Sequence, residues 1–126
     1  MGNYVAADYS AAIGTYNNRW NVAERKWEYQ TAGEYSVAIG GKNHSAGDYS
    51  AAVGYENMSG GIAASAVGYR NITDGQSASA LGYANIAANT KSSAVGYRNY
   101  VSGYGAVALG SENNLFFAKD YEATSF

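Results

Sequence analysis

The chain has 126 residues and a net charge of -2, with 16 glycines, 13 tyrosines, no proline and no cysteine. That is the length of one domain, and the charge is too small for a nucleic-acid groove or a polybasic membrane contact. Absence of cysteine rules out disulfides and thiolate metal sites and suits an exported protein.

No apolar run approaches a transmembrane span, and Met1-Gly2-Asn3-Tyr4 does not begin a signal peptide. Leu, Ile and Phe are scarce, so one chain has few large side chains for a core. Composition of this kind often means disorder, but a strict repeat argues for order. Gly40, Gly54, Gly68, Gly82, Gly96 and Gly110 follow one another at 14-residue steps, each with Ala two places before and Asn three places after. A fixed period with invariant small and turn residues is a solenoid signature.

In chain order, residues 1–14 already carry one copy, Asp8-Tyr9-Ser10-Ala11-Ala12-Ile13-Gly14, with Asn17 following. The next glycine of the column, Gly40, comes 26 residues later, one coil plus 12 residues. The extra residues fall between Asn17 and Gly33. This insertion, residues 18–32, holds Arg19, Trp20, Arg25, Lys26 and Trp27, with both tryptophans of the chain. Insertions in repeat arrays leave as loops or small hairpins on one face, often the binding face. Trp20 and Trp27 either present such a binding protrusion or fold back to cap the open end of the stack.

From Gly33 to Gly110 the repeat is unbroken, and each copy offers two short extended segments bounded by Gly and Asn. Asn89 stands where Gly47, Gly61, Gly75 and Gly103 stand in other copies. Asn is the best substitute for glycine at positive φ, so this column is expected to be left-handed. After Asn113 the pattern fails at Leu115-Phe116-Phe117. A last partial copy from Asp120 sets Phe126 in the glycine column. Residues 114–126 therefore read as a terminal cap or as the boundary to a further domain.

Parallel stacking sets successive coils about 4.8 Å apart and turns residues 14 apart into ladders. Ala38, Ala52, Ala66, Ala80, Ala94 and Ala108 form one. Ile39, Val53, Val67, Leu81, Val95 and Leu109 form the next, on the other side of the strand. A strand apolar on both faces is expected to lie between its own coil interior and a sister chain, with these two columns as core and inter-chain packing. Which column faces inward stays open at this level. The asparagines form an amide ladder. Asn43, Asn57 and Asn71 also head Asn-x-Ser/Thr triplets, but the ladder already accounts for them. Tyr55, Tyr69, Tyr83 and Tyr97 make an aromatic ladder beside a charge column that includes Arg70 and Arg98. It is either a solvated, cross-paired face or a flat surface for protein contact.

Catalytic chemistry is not expected. His44 is the single histidine, the carboxylates are scattered over different columns, and Gly40-Gly41-Lys42-Asn43 lacks the spacing of a phosphate loop. No cofactor and no metal are expected.

Ser36-Val37-Ala38-Ile39-Gly40, followed by Asn43 and Ala46-Gly47-Asp48-Tyr49-Ser50, closely resembles the head repeat of trimeric autotransporter adhesins of the YadA type. The likeness covers residues 4–17 and 33–113 in seven tandem copies, as a single head domain over residues 1–126. The resemblance implies an all-β, left-handed parallel β-roll solenoid of 14-residue coils, assembled as a homotrimer. It implies a virulence-related place on the bacterial cell surface, on the extracellular face of the outer membrane. Its partners would be a host cell-surface receptor or an extracellular-matrix protein. Nucleic acid is not among them, and membrane contact runs only through an anchor with no counterpart in these residues. The left hand rests on the resemblance alone, since ordinary parallel crossovers are right-handed. A structural spacer that projects another binding domain, and a phage tail-fibre segment, are the competing readings.

Overall fold

The computed structural model describes residues 9–15, 20–21, 26–27, 33–115 and 124–125. Each full copy contributes one five-residue strand and one two-residue strand. The long ones are β1 (Ala11–Thr15), β4 (Val37–Gly41), β6 (Ala51–Tyr55), β8 (Ser65–Tyr69), β10 (Ser79–Tyr83), β12 (Ser93–Tyr97) and β14 (Val107–Ser111). The short ones are β5 (His44–Ser45), β7 (Met58–Ser59), β9 (Ile72–Thr73), β11 (Ile86–Ala87), β13 (Tyr100–Val101) and β15 (Asn114–Leu115). With β16 (Thr124–Ser125) the long strands form an eight-stranded parallel sheet, and the short ones form a six-stranded sheet. Every coil pairs in register with the next, as in Ala52↔Ala66 and Gly54↔Gly68. The chain is thus a parallel β-solenoid of 14-residue coils.

The 26-residue step in the sequence becomes a single step in the sheet, because Ala11 pairs directly with Val37 and Gly14 with Gly40. Between them, β2 (Trp20–Asn21) and β3 (Lys26–Trp27) form an antiparallel pair with Trp20 opposite Trp27. Arg19 and Arg25 lie outside the described residues. At the other end, Val107 pairs with Thr124 and Ala108 with Ser125. Ser125 therefore stands in the alanine column, one place off the alignment that set Phe126 in the glycine column.

The core is thin. Ala38, Ala52, Ala66, Ala80, Ala94 and Ala108 are fully buried, facing Ser45, Ser59, Thr73, Ala87 and Val101 of the short strands. Toward the N-terminal end this core is closed by hydroxyls. Ser45 and Ser50 share a 2.7 Å hydrogen bond, Thr73 donates to Ser59 at 3.1 Å, and Ser59 donates to the Ala64 carbonyl at 2.9 Å. Toward the C-terminal end it is apolar, from Ala78 to Ala108. The two apolar columns therefore divide: alanine lines the coil interior, and Ile39, Val53, Val67, Leu81, Val95 and Leu109 point out.

Both turns of the coil are left-handed, at residues other than those the sequence suggests. Lys42, Glu56, Arg70, Ala84, Arg98 and Glu112 lie at φ 53 to 57, and Tyr35, Tyr49, Ala63, Ser77 and Lys91 at φ 56 to 59. Such a conformation costs a non-glycine residue about 1 kcal/mol or more. It persists because the N–H donates axially to the preceding coil, as from Glu56 to the Gly41 carbonyl at 3.0 Å and from Tyr49 to the Glu34 carbonyl at 2.8 Å. The column of Gly47, Gly61, Gly75 and Asn89 does not have positive φ. At Gly47, Gly61 and Gly75 glycine is needed for space, since a Cβ on Gly47 would run into the Gly61 carbonyl, whereas Asn89 fits its side chain there and donates to the Ser102 carbonyl.

Candidate interaction surface

The surface begins with the alternation of the long strand. With alanine turned inward, the residues on either side of it must face out. Val37, Ala51, Ser65, Ser79, Ser93 and Val107 form one outward column, and the aliphatic residues form the next. In the single chain Ile39 is 37% exposed, Leu81 50% and Leu109 42%. A thin core that excludes large side chains leaves these on the surface, with Val53, Val67 and Val95 half-buried between them, and an aliphatic stripe of this kind is a candidate contact face.

The tyrosine ladder stands at the end of the same strands. Tyr55, Tyr69, Tyr83 and Tyr97 stack at centroid distances of 5.6, 5.2 and 5.1 Å, with interplanar angles of 7° to 13°. Their faces cover one another, so what they offer a partner is a row of ring edges and hydroxyls. Cations lie beside three of the rings: Lys42 Nζ is 5.4 Å from the Tyr55 centroid, and the Arg70 and Arg98 guanidinium carbons are 6.0 Å from those of Tyr69 and Tyr97.

The charge column is cross-paired. Arg70 Nε is 3.2 Å and Lys42 Nζ 3.7 Å from Glu56, and Arg98 Nη1 is 4.0 Å from Glu112. Pairs this exposed contribute a few tenths of a kcal/mol to about 1 kcal/mol each. Two shallow cavities lie where this column meets the short-strand sheet. One is lined by Lys42, His44, Glu56, Met58 and Arg70, the other by Arg98, Tyr100, Glu112 and Asn114. Burial pushes the His44 imidazole below its usual pKa of 6.5.

The short-strand sheet adds an outward column that sequence reasoning left unassigned: His44, Met58, Ile72, Ile86 and Tyr100, all half-buried. The signal was available, since the column beside the asparagines is mostly large and apolar. Of the sequence-chosen contact residues, the structure brings Tyr55, Tyr69, Arg70, Tyr83, Tyr97 and Arg98 onto one side. Trp20, Lys26 and Trp27 sit in the separate β2–β3 pair. Among the described residues no three of His, Asp and Glu gather as a metal site would need.

Residues 32–57 and 87–113 match the family model of the YadA head domain repeat, in two copies. The chain carries YadA head repeats. Residues 33–57 and 87–113 of the matched stretches lie in the stacked coils. The YadA head is an adhesin-type structural domain and belongs to no enzyme family. No curated protein and no solved structure matches the chain.

Proposed function

We propose that this YadA-like head is the binding part of a homotrimeric bacterial surface adhesin that attaches to host cells or extracellular-matrix proteins. The observation that carries this reading is the division of the surface. The long-strand sheet offers an aliphatic stripe suited to sister chains. The Tyr55–Tyr97 ladder and its Arg70 and Arg98 neighbours offer the aromatic and guanidinium groups enriched at protein contacts. Three copies around one axis repeat each weak contact, and avidity raises the overall affinity without any new contact. The left-handed coil, the outer-membrane location and the role in virulence belong to this reading through the family. The β2–β3 pair, with Trp20 opposite Trp27, is proposed as a second contact.

The test is binding of the intact oligomer to immobilised matrix proteins and to host cells. Joint replacement of Tyr69, Arg70, Tyr97 and Arg98 by Ala should weaken attachment at least tenfold, and Trp20→Ala with Trp27→Ala should weaken it further. Full attachment by all of these variants as intact oligomers would favour a spacer that carries a binding domain elsewhere.

A further inference from the structure

Tyr9, Tyr35 and Tyr49 form a second ladder, at the turn leading into β1, β4 and β6. Their rings stack at 4.8 and 5.3 Å with interplanar angles of 5° and 1°. They are well exposed, Tyr9 at 78% and Tyr49 at 64%. The fold does not ask for tyrosine here. The backbone of this column is left-handed, which penalises bulky side chains, and later coils fill it with Ala63, Ser77, Lys91 and Gly105.

The two ladders differ in their charges. Each ring of this one follows an acid in the chain: Asp8 before Tyr9, Glu34 before Tyr35, Asp48 before Tyr49. Asp48 is tied to the turn by accepting the Glu34 N–H at 2.9 Å. In the other ladder Lys42, Arg70 and Arg98 lie beside three of the rings, each paired with Glu56 or Glu112, and the four rings are less exposed, at 38% to 44%. A phenol losing an electron develops positive charge, which nearby carboxylates favour and nearby cations oppose.

We propose that this ladder is a site of oxidative dityrosine formation within one chain, with Tyr35, the central ring, in every link. The oxidant is hydrogen peroxide acting through a haem peroxidase. Each of two neighbouring phenols gives up one electron and its hydroxyl proton. The two tyrosyl radicals join through a new carbon–carbon bond between ring positions ortho to the hydroxyls. The two ortho hydrogens then move to the oxygens, which restores both aromatic rings. The two electrons and two protons reduce one hydrogen peroxide to two waters. Stacking supplies the proximity that a reaction between two radicals needs, and exposed side chains are free to rotate through the remaining gap. A Tyr9–Tyr35 link would close the 26-residue step that holds the β2–β3 pair, and a Tyr35–Tyr49 link would join adjacent coils.

The intact protein is treated with a plant haem peroxidase and hydrogen peroxide, digested, and read by peptide mass spectrometry. The expected product is Tyr35 joined to Tyr9 or Tyr49 with loss of two hydrogens, in chains that keep monomer mobility on a denaturing gel. Its yield should exceed that of links among Tyr55, Tyr69, Tyr83 and Tyr97 several-fold. Tyr35→Phe keeps the ring but has no phenolic hydrogen, and should abolish the product. Tyr104→Phe should leave it unchanged. Links spread evenly over all tyrosines, links found only between chains, or an unchanged yield in Tyr35→Phe would each overturn the proposal.

Discussion

At the residue scale the asparagine ladder is the most constrained feature of the molecule. Asn71 shows why. Its Nδ2 donates to the Val67 carbonyl at 2.9 Å, to the Gly82 carbonyl at 2.8 Å and to Asn57 Oδ1 at 3.1 Å. Its Oδ1 accepts both the backbone N–H and the amide of Asn85 at 3.0 Å. Asn57, Asn85 and Asn99 donate to the corresponding two carbonyls and to the preceding amide, and Asn43, Asn57, Asn71, Asn85 and Asn99 are at most 1% exposed. An amide is required because the site needs donors and an acceptor on one planar group. A glycan on Asn43, Asn57 or Asn71 would displace these bonds, so the folded coil closes the Asn-x-Ser/Thr triplets to glycosylation. Asn71→Ala leaves two carbonyls and one N–H without their partners, each worth about 1–3 kcal/mol. We expect a loss of about 3 kcal/mol or more. Asn71→Asp should cost more than Asn71→Ala at neutral pH, because a carboxylate would face oxygens it cannot bond. Denaturation midpoints of the two variants test the order; equal midpoints would contradict the ladder's dependence on the amide donors.

At the scale of the elements, the strands and their register were legible from the repeat. The 14-residue spacing of Gly, Ala and Asn gave the ladder partners, and the 26-residue gap gave the place of the insertion. The orientation of the long strand was not legible. Alanine and Ile/Val/Leu are both apolar, so alternation carries no polarity. The usable signal was size: Ser45, Ser59, Thr73 and Ala87 on the opposite strand are also small, and two small columns facing each other make a thin core. Glycine misled for a related reason. Gly47 is required because a Cβ has no room, Gly68 because φ is +121 as well, and sequence shows the same letter for both. The left-handed turn residues were hidden because Lys42, Glu56 and Arg70 are held there by axial hydrogen bonds rather than by local preference. The short-strand sheet supports its own prediction. His44 opens a column continued by Met58, Ile72 and Ile86, and its folded pKa is depressed by burial. The unfolded chain then binds a proton more readily than the folded one, so this group's contribution is complete above the unfolded value of 6.5 and is lost as pH falls through the folded value. Thermal midpoints between about pH 7.5 and about pH 5 should fall in the parent and fall less in His44→Ile, since every other ionisable group is common to both. Parallel curves would remove His44 from the account.

At the scale of the whole molecule, a coil this thin gains little from its own interior, and we expect it to gain from its outer face. Alanine burial is small in area, while the exposed aliphatic stripe from Ile39 to Leu109 repeats in every coil. The geometry of that face suits three copies. A five-residue strand at about 3.3 Å per residue makes a wall about 16 Å wide, and three such walls around an axis stand about 5 Å from it, half of the roughly 10 Å between packed sheets. Val67 and Leu81 would fill that space. Four walls would stand about 8 Å from the axis and leave a wet channel lined by aliphatic groups, which the hydrophobic effect disfavours. Two walls face to face would also meet at the packed spacing, so mass must separate a trimer from a pair. Sedimentation equilibrium should give three chains for the parent. Leu81→Asp would set three carboxylates against one another at the axis, at a cost of several kcal/mol each if they stay charged, and should dissociate the assembly. Ile72→Asp, on the outward column of the short-strand sheet, should leave it trimeric. A monomeric or dimeric parent would overturn the trimer, and a Leu81→Asp variant that remains trimeric while Ile72→Asp falls apart would place the sister chains on the other sheet.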